Sequence, residues 1–221
     1  MKDAYDNLFE KYGREEFFKD SLEAIIFPES VEEQWKKQKY LLLNNGELFI
    51  RGYGRDAKKT EWFIELYKNL FQNNKIQKDS TNNAQPTKLL KNMTPYCKIT
   101  NDEKNDGKER IKNYQVSHLF GKTKNPLLFN AAWNIAYIPK YLDPFTGHES
   151  QGEHRDIFKI IFEKNLKQKY AAYIIDYNNF IKEYVINQLE DALNKTRREL
   201  KITIKDFERF RSDAREALSE I

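Results

Sequence analysis

Cysteine is nearly absent from this chain of 221 residues, and Cys97 is its one copy. That excludes an internal disulfide, and without a Cys-x-x-Cys pair there is no structural zinc of the cysteine type. Cys97 reads as a small, partly buried residue rather than a reactive thiol. Proline and glycine are scarce, at 6 and 8 copies, and neither occurs after Gly152. The last third of the chain therefore lacks the residues that punctuate helices. Apolar runs stay far below the roughly 20 residues that span a bilayer. The opening Met1-Lys-Asp-Ala-Tyr-Asp6 has no apolar core of a signal peptide. Both point to a cytoplasmic protein without membrane contact. Charged residues make up 33% and hydrophobic ones 39%, with a net charge of +4. The isoelectric point of about 8.8 suits a polyanionic partner without diagnosing one. The length fits one domain, or a small core with an appended helical part.

The element reading is α+β, mostly helical. Leu8, Phe9, Tyr12, Phe17, Phe18, Leu22 and Ile25 recur at helical steps up to Pro28. Ser30 and Glu33 have the spacing of a capping box opening a second helix. Leu48–Ile50 suits a strand. Trp62, Phe63, Leu66, Tyr67 and Leu70 give one face of a helix over 59–71. The polar stretch 73–83 reads as loop, 87–93 as a short helix, and 101–113, the most polar segment, as a loop or insertion. Beyond residue 155, Ile157, Ile160, Ile174, Tyr177, Ile181, Leu189 and Leu193 predict one or two long helices. Thr203 or Asp206 starts a last one. This stripe packs on the chain itself or on a second copy; the two are compatible.

Histidine is also rare, but it is gathered: all 3 copies, His118, His148 and His154, lie in a short span that also holds Asn134 and Asp143. Histidine titrates near neutrality and is the commonest metal ligand. Tyr114–His118 reads as a strand, 121–132 as a loop, Trp133–Ile138 as a second strand, and Pro139 as a helix entry. His154, beside Gly152-Glu153, reads as a surface residue. Each of these residues alone also has an ordinary structural reading. Arg51-Gly-Tyr-Gly-Arg55 places two arginines around glycines that allow close backbone approach. It lacks the spacing of a nucleotide-binding loop, and a flexible turn with solvated arginines is the plainer reading.

The order strand, His118, loop, Asn134, apolar strand, Pro139-Lys140 resembles the HNH, or ββα-metal, nuclease superfamily. The segments Ser117-His-Leu-Phe-Gly-Lys-Thr-Lys-Asn-Pro126 and Asp143-Pro-Phe-Thr-Gly-His-Glu149 look like stand-alone type II restriction endonucleases. The likeness covers about residues 114–150. It implies two short strands and a helix as a nuclease core in 101–154, a DNA-recognition part in 1–100 and a helical region in 155–221. It implies hydrolysis of double-stranded DNA with His118 as general base, and Asn134 orienting the His118 loop or helping to hold a metal. One divalent ion, Mg²⁺, is implied, with Asp143, His148 or both as ligands; structural zinc is not. Ser117 departs from the acidic residue common before the base, which leaves open a non-catalytic nucleic-acid-binding protein. Arg51, Arg55, Lys122, Lys124 and Lys140 are the candidate DNA contacts, the arginines for guanine edges. A homodimer through the C-terminal helices fits a symmetric site.

Overall fold

The structure, a computed structural model, describes residues 3–98, 107–147 and 150–221. Helix α1 (Ala4–Tyr12) opens on a capping box between Asp3 and Asp6 and meets α2 (Arg14–Glu23) at Gly13. Helix α3 spans Val31–Leu43, but Ser30 does not cap it. Its φ of 52° is left-handed, outside the extended backbone that lets a cap hydroxyl reach the first-turn amides, and it makes no cap hydrogen bond.

Strand β1 (Leu48–Ile50) runs parallel to β2 (Ile76–Lys78), with Ile50 opposite Lys78. The crossover between them is α4 (Thr60–Phe71), which buries Phe63, Leu66, Tyr67 and Leu70, the face its spacing predicts. The loop expected over 73–83 thus contains a strand. With Ile76 as its one buried residue, β2 carries no alternation to read. After it, the buried Asp79 accepts from the amides of Thr81, Ala84 and Gln85 at 3.0, 2.9 and 2.7 Å, starting α5 (Ala84–Met93) three residues before the expected Thr87. Strand β3 (Tyr96–Lys98) pairs in parallel with β4 (Glu109–Ile111), so the end of the polar 101–113 stretch is a strand rather than loop.

Strands β5 (Tyr114–His118) and β6 (Ile135–Pro139) form an antiparallel pair, His118 opposite Ile135 and Tyr114 opposite Pro139. The expected second strand begins two residues late, because Ala132–Asn134 is a 3₁₀ turn. Pro139 closes β6 instead of opening a helix; a 3₁₀ turn over Lys140–Leu142 and the four-residue α6 (Asp143–Thr146) follow. Strand β6 is wholly buried and its Tyr137 also exchanges main-chain hydrogen bonds with Ile26. Before the expected last helix the C-terminal third holds three helices rather than one or two: α7 (Glu153–Lys169), α8 (Ala171–Tyr184) and α9 (Leu189–Glu199), followed by α10 (Ile204–Ala217). Thr203 caps α10 through the Asp206 amide, as its position suggests.

One hydrophobic cluster runs from Phe9 to Leu218 and draws on the N-terminal helices, the β5–β6 region and the C-terminal helices alike. Tyr177, Phe180, Ile181 and Leu193 of the C-terminal stripe are buried within the chain. Ile160, Ile175 and Ile204 of the same region remain exposed. Among the described residues no helix is long and apolar enough to cross a membrane. Leu66 is 0% exposed, so Leu66→Ala should cost about 2–5 kcal/mol in denaturant unfolding. Ile160, at 67% exposure, should tolerate alanine within about 0.5 kcal/mol.

Candidate active site

The amide of Asn134 organises the connection between β5 and β6. Asn134 is 0% exposed. Its Oδ1 accepts from the Phe120 amide at 2.8 Å, and its Nδ2 donates to the carbonyls of Leu128 at 2.8 Å and Gly121 at 3.2 Å. Its own carbonyl accepts from the Leu119 amide at 2.8 Å. Of its two expected roles, the structure brings Asn134 to the loop that follows His118 and buries it there. Asn125, unremarked in the sequence, does the same from the other side. Its Nδ2 donates to Tyr177 Oη at 2.9 Å and to the Ala217 carbonyl at 3.1 Å, tying the loop to α8 and α10.

His118 ends β5 with Nε2 at 2.8 Å from the Phe129 carbonyl, its ring stacked on that of Phe129 at 5.3 Å. A carbonyl only accepts, so Nε2 carries the proton and Nδ1 keeps the lone pair. Nδ1 has no hydrogen-bond partner among the described residues. Burial pushes the His118 pKa down to about 4, and the charge of Arg51 acts the same way; the Phe129 carbonyl and Asp79 oppose them. The ring is therefore neutral at neutral pH.

His118 faces a cleft of about 310 Å³ whose walls include Arg51, Gln115, Ser117, Thr123 and Thr146. Asp143 is not part of that wall but is joined to it, its carboxylate accepting from Gln115 Nε2. His148 lies outside the described residues, next to Gly147, which lines the cleft. Among the described residues no three His, Cys, Asp or Glu side chains gather as a metal-binding group. His154 is elsewhere: Nε2 lies 2.9 Å from Asp6 Oδ1, and the ring rests 4.7 Å from Phe9, joining α7 to α1. With its side chain 13% exposed, it is not the surface residue that its neighbours suggest.

The basic candidates separate. Arg51 lines the His118 cleft, and its amide donates to the Thr123 carbonyl at 2.9 Å. Arg55 and Lys124 line a neighbouring cleft. Lys122 turns inward: its Nζ donates to the Glu216 carbonyl at 2.7 Å and to Ser219 Oγ at 2.5 Å, so its ammonium is spent fastening α10. Lys140 is exposed on the turn after β6 and is not part of the cleft wall. Besides Asn125, sequence reasoning missed the Phe129 carbonyl and Asp79, and both carry little signal. A main-chain acceptor has no residue signature, and Asp79 looks like any turn aspartate.

The family described as "Uncharacterised protein PM1201" matches residues 26–221. A relative in Pasteurella multocida (strain Pm70), "Uncharacterized protein PM1201", is 39% identical over 188 residues, covering 83% of this chain and 81% of its own. No solved structure matches the chain.

Replacing Asn134 with alanine leaves buried main-chain groups unpaired, each costing about 1–3 kcal/mol. Asn134→Ala should lower the denaturant midpoint and speed hydrogen exchange at the Phe120 amide, which loses its acceptor. Unchanged exchange there would show that the loop holds without it.

Proposed function

This chain belongs to the PM1201 family, and we propose that it is a metal-dependent endonuclease hydrolysing phosphodiester bonds of double-stranded DNA. The observation that carries this reading is the bond from His118 Nε2 to the Phe129 carbonyl at 2.8 Å. It fixes the tautomer with the proton on Nε2 and the lone pair on Nδ1, on a residue that lines a polar cleft, the state that a general base needs. Further support comes from the local order of strand, loop, strand and short helix, and from Asn134 bracing the loop. Together they suit a ββα-metal core over 114–146.

In the proposed reaction, Nδ1 takes a proton from a water in the cleft. The water oxygen forms a bond to phosphorus while the bond from phosphorus to the leaving sugar oxygen breaks, and that oxygen takes a proton from solvent. Arg51, on the cleft wall, neutralises charge on the phosphate. A phosphate beside His118 also raises the ring's affinity for a proton, opposing the burial that lowers it. We propose Mg²⁺ as cofactor, which when bound supplies charge neutralisation at the phosphate and leaving oxygen. Asp143 and His148 are its candidate ligands. The described residues alone do not assemble a ligand set, since Asp143 is directed at Gln115, so no step is assigned through the ion. The resemblance to type II restriction enzymes extends the proposal to a cytoplasmic homodimer cutting a symmetric site. A second reading, a DNA-binding protein without catalysis, is favoured by Ser117, a neutral side chain beside the base.

Purified protein should cut plasmid DNA with Mg²⁺ and not with a chelator, and His118→Ala should lose about 10²- to 10⁴-fold in rate. Binding without cleavage under every metal condition leaves the second reading. Burial lowers the base's pKa, so kcat/KM should hold steady as pH falls from neutrality and drop only as it approaches about 4, where the ring protonates. An acidic limb near 6.5, the ordinary histidine value, would contradict the half-buried, desolvated placement of His118.

A further inference from the structure

A second cleft, of about 600 Å³, adjoins the His118 cleft along the same two backbone segments. Gly52, Tyr53, Gly54 and Arg55 face it just after Arg51, and Lys124 faces it just after Thr123. The Arg51–Thr123 main-chain hydrogen bond, 2.9 Å long, marks the border. The far wall is α10, which contributes Asp206, Arg209 and Asp213.

The charges there are unevenly matched. Asp206 is held by Lys59 at 2.6 Å. Arg55, Lys124 and Arg209 have no carboxylate partner among the described residues. The contrast along α10 is sharp: Arg211 and Arg215 both grip Glu190, at 2.6 and 2.7 Å, and Arg209 has no ion pair among the described residues. Arg209 and Asp213 are four apart, so guanidinium and carboxylate rise from the same face of the helix. One Asp213 oxygen accepts from Tyr53 Oη at 2.6 Å, which orients the carboxylate. A site for phosphate alone would be poorly served by a carboxylate. A donor fork beside an acceptor instead matches the major-groove edge of a G·C pair, where guanine offers O6 and N7 and cytosine offers its N4 amino group. That groove is wide enough for a helix.

We infer that α10 is the element that reads DNA sequence, with Arg209 on guanine and Asp213 on cytosine of a G·C pair close to the scissile phosphate, and Arg55 and Lys124 on the flanking backbone. This rests on the proposed hydrolysis at His118. Lys122, bonded to the Glu216 carbonyl and Ser219, fixes the end of α10 to the loop below the His118 cleft, so the distance from reading to cutting is set by the fold.

The test is fluorescence anisotropy with labelled G·C-rich and A·T-rich duplexes of equal length, in chelator to prevent cleavage. Wild type should bind the G·C-rich duplex roughly tenfold more tightly, the size of one good base-edge contact. Arg209→Ala should abolish that preference. Asp213→Asn keeps an oxygen for Tyr53 and should shift the preference toward adenine-containing pairs. Arg55→Ala should weaken both duplexes alike and flatten the salt dependence by about one phosphate's worth. Equal wild-type affinity for both duplexes, or a preference that survives in Arg209→Ala and Asp213→Asn, overturns the inference. Cleavage assays on His118→Ala separate the two proposals. A G·C preference in a protein that never cuts removes the nuclease and keeps the reading helix, whereas His118-dependent cutting without the preference does the reverse.

Discussion

An asparagine side chain with no access to water must find a partner for each polar atom, and at Asn134 that requirement shapes everything around His118. The amide bonds Phe120 and Gly121 at the start of the connection between β5 and β6, and Leu128 further along it. Closing so long a loop costs entropy that grows slowly with its length, and the three bonds, made where no water competes, offset it. The Phe129 carbonyl, which fixes the tautomer of His118, belongs to this same loop, one residue past Leu128. Without the Asn134 bonds, that carbonyl would be held 2.8 Å from Nε2 only through the turn that Phe129 makes with Asn125. The position of the proposed base is thus a consequence of burial at Asn134 and not only of strand β5.

The burial that orders the loop also sets the chemistry and the acid sensitivity of the site. A histidine whose pKa falls from 6.5 to about 4 on folding is neutral in the native state where the unfolded chain binds a proton. The unfolded state therefore holds more protons between those values, and His118 withdraws stability as pH falls through that window. Well above 6.5 neither state is protonated and the contribution is constant. Such a ring is a weak base on its own. An anionic phosphate entering the cleft moves its pKa back toward neutrality, so proton affinity rises when substrate is present.

How much of this was visible in the sequence follows from which signals are local. Strand β5 alternates and α4 has a full apolar face, so both are legible. Strands β2, β3 and β4 are three residues each and pair in parallel with distant partners, leaving no alternation to read. The four C-terminal helices are divided at Tyr170, at 185–188 and at 200–203 without a glycine or proline. There the chain turns to bury Tyr177, Phe180 and Phe210 in one core, a tertiary reason that periodicity does not carry. At the site, His118 and Asn134 stand out because histidine is rare and the pair flanks a loop. The Phe129 carbonyl has no such mark, and Ser30 shows the converse, a cap motif overridden by its backbone.

The Arg51–Arg55 segment unites these points. Its glycines allow close backbone approach, and the structure shows what is approached. A Cβ on Gly52 would stand 2.7 Å from that of Ala57, and Gly54 has a φ of +76° that a side chain would strain. The segment can therefore fold tightly enough to place Arg51 in the His118 cleft and Arg55 in the next. Asn82 fastens it through the Gly52 amide at 2.8 Å, and Thr60 through that of Tyr53 at 2.8 Å. Both anchors lie on the β1–α4–β2 crossover or just beyond it. A shift in the pairing of β1 with β2 would move the two arginines together. On the proposed reading, that couples the charge at the cutting site to the charge beside the reading helix through one short piece of backbone.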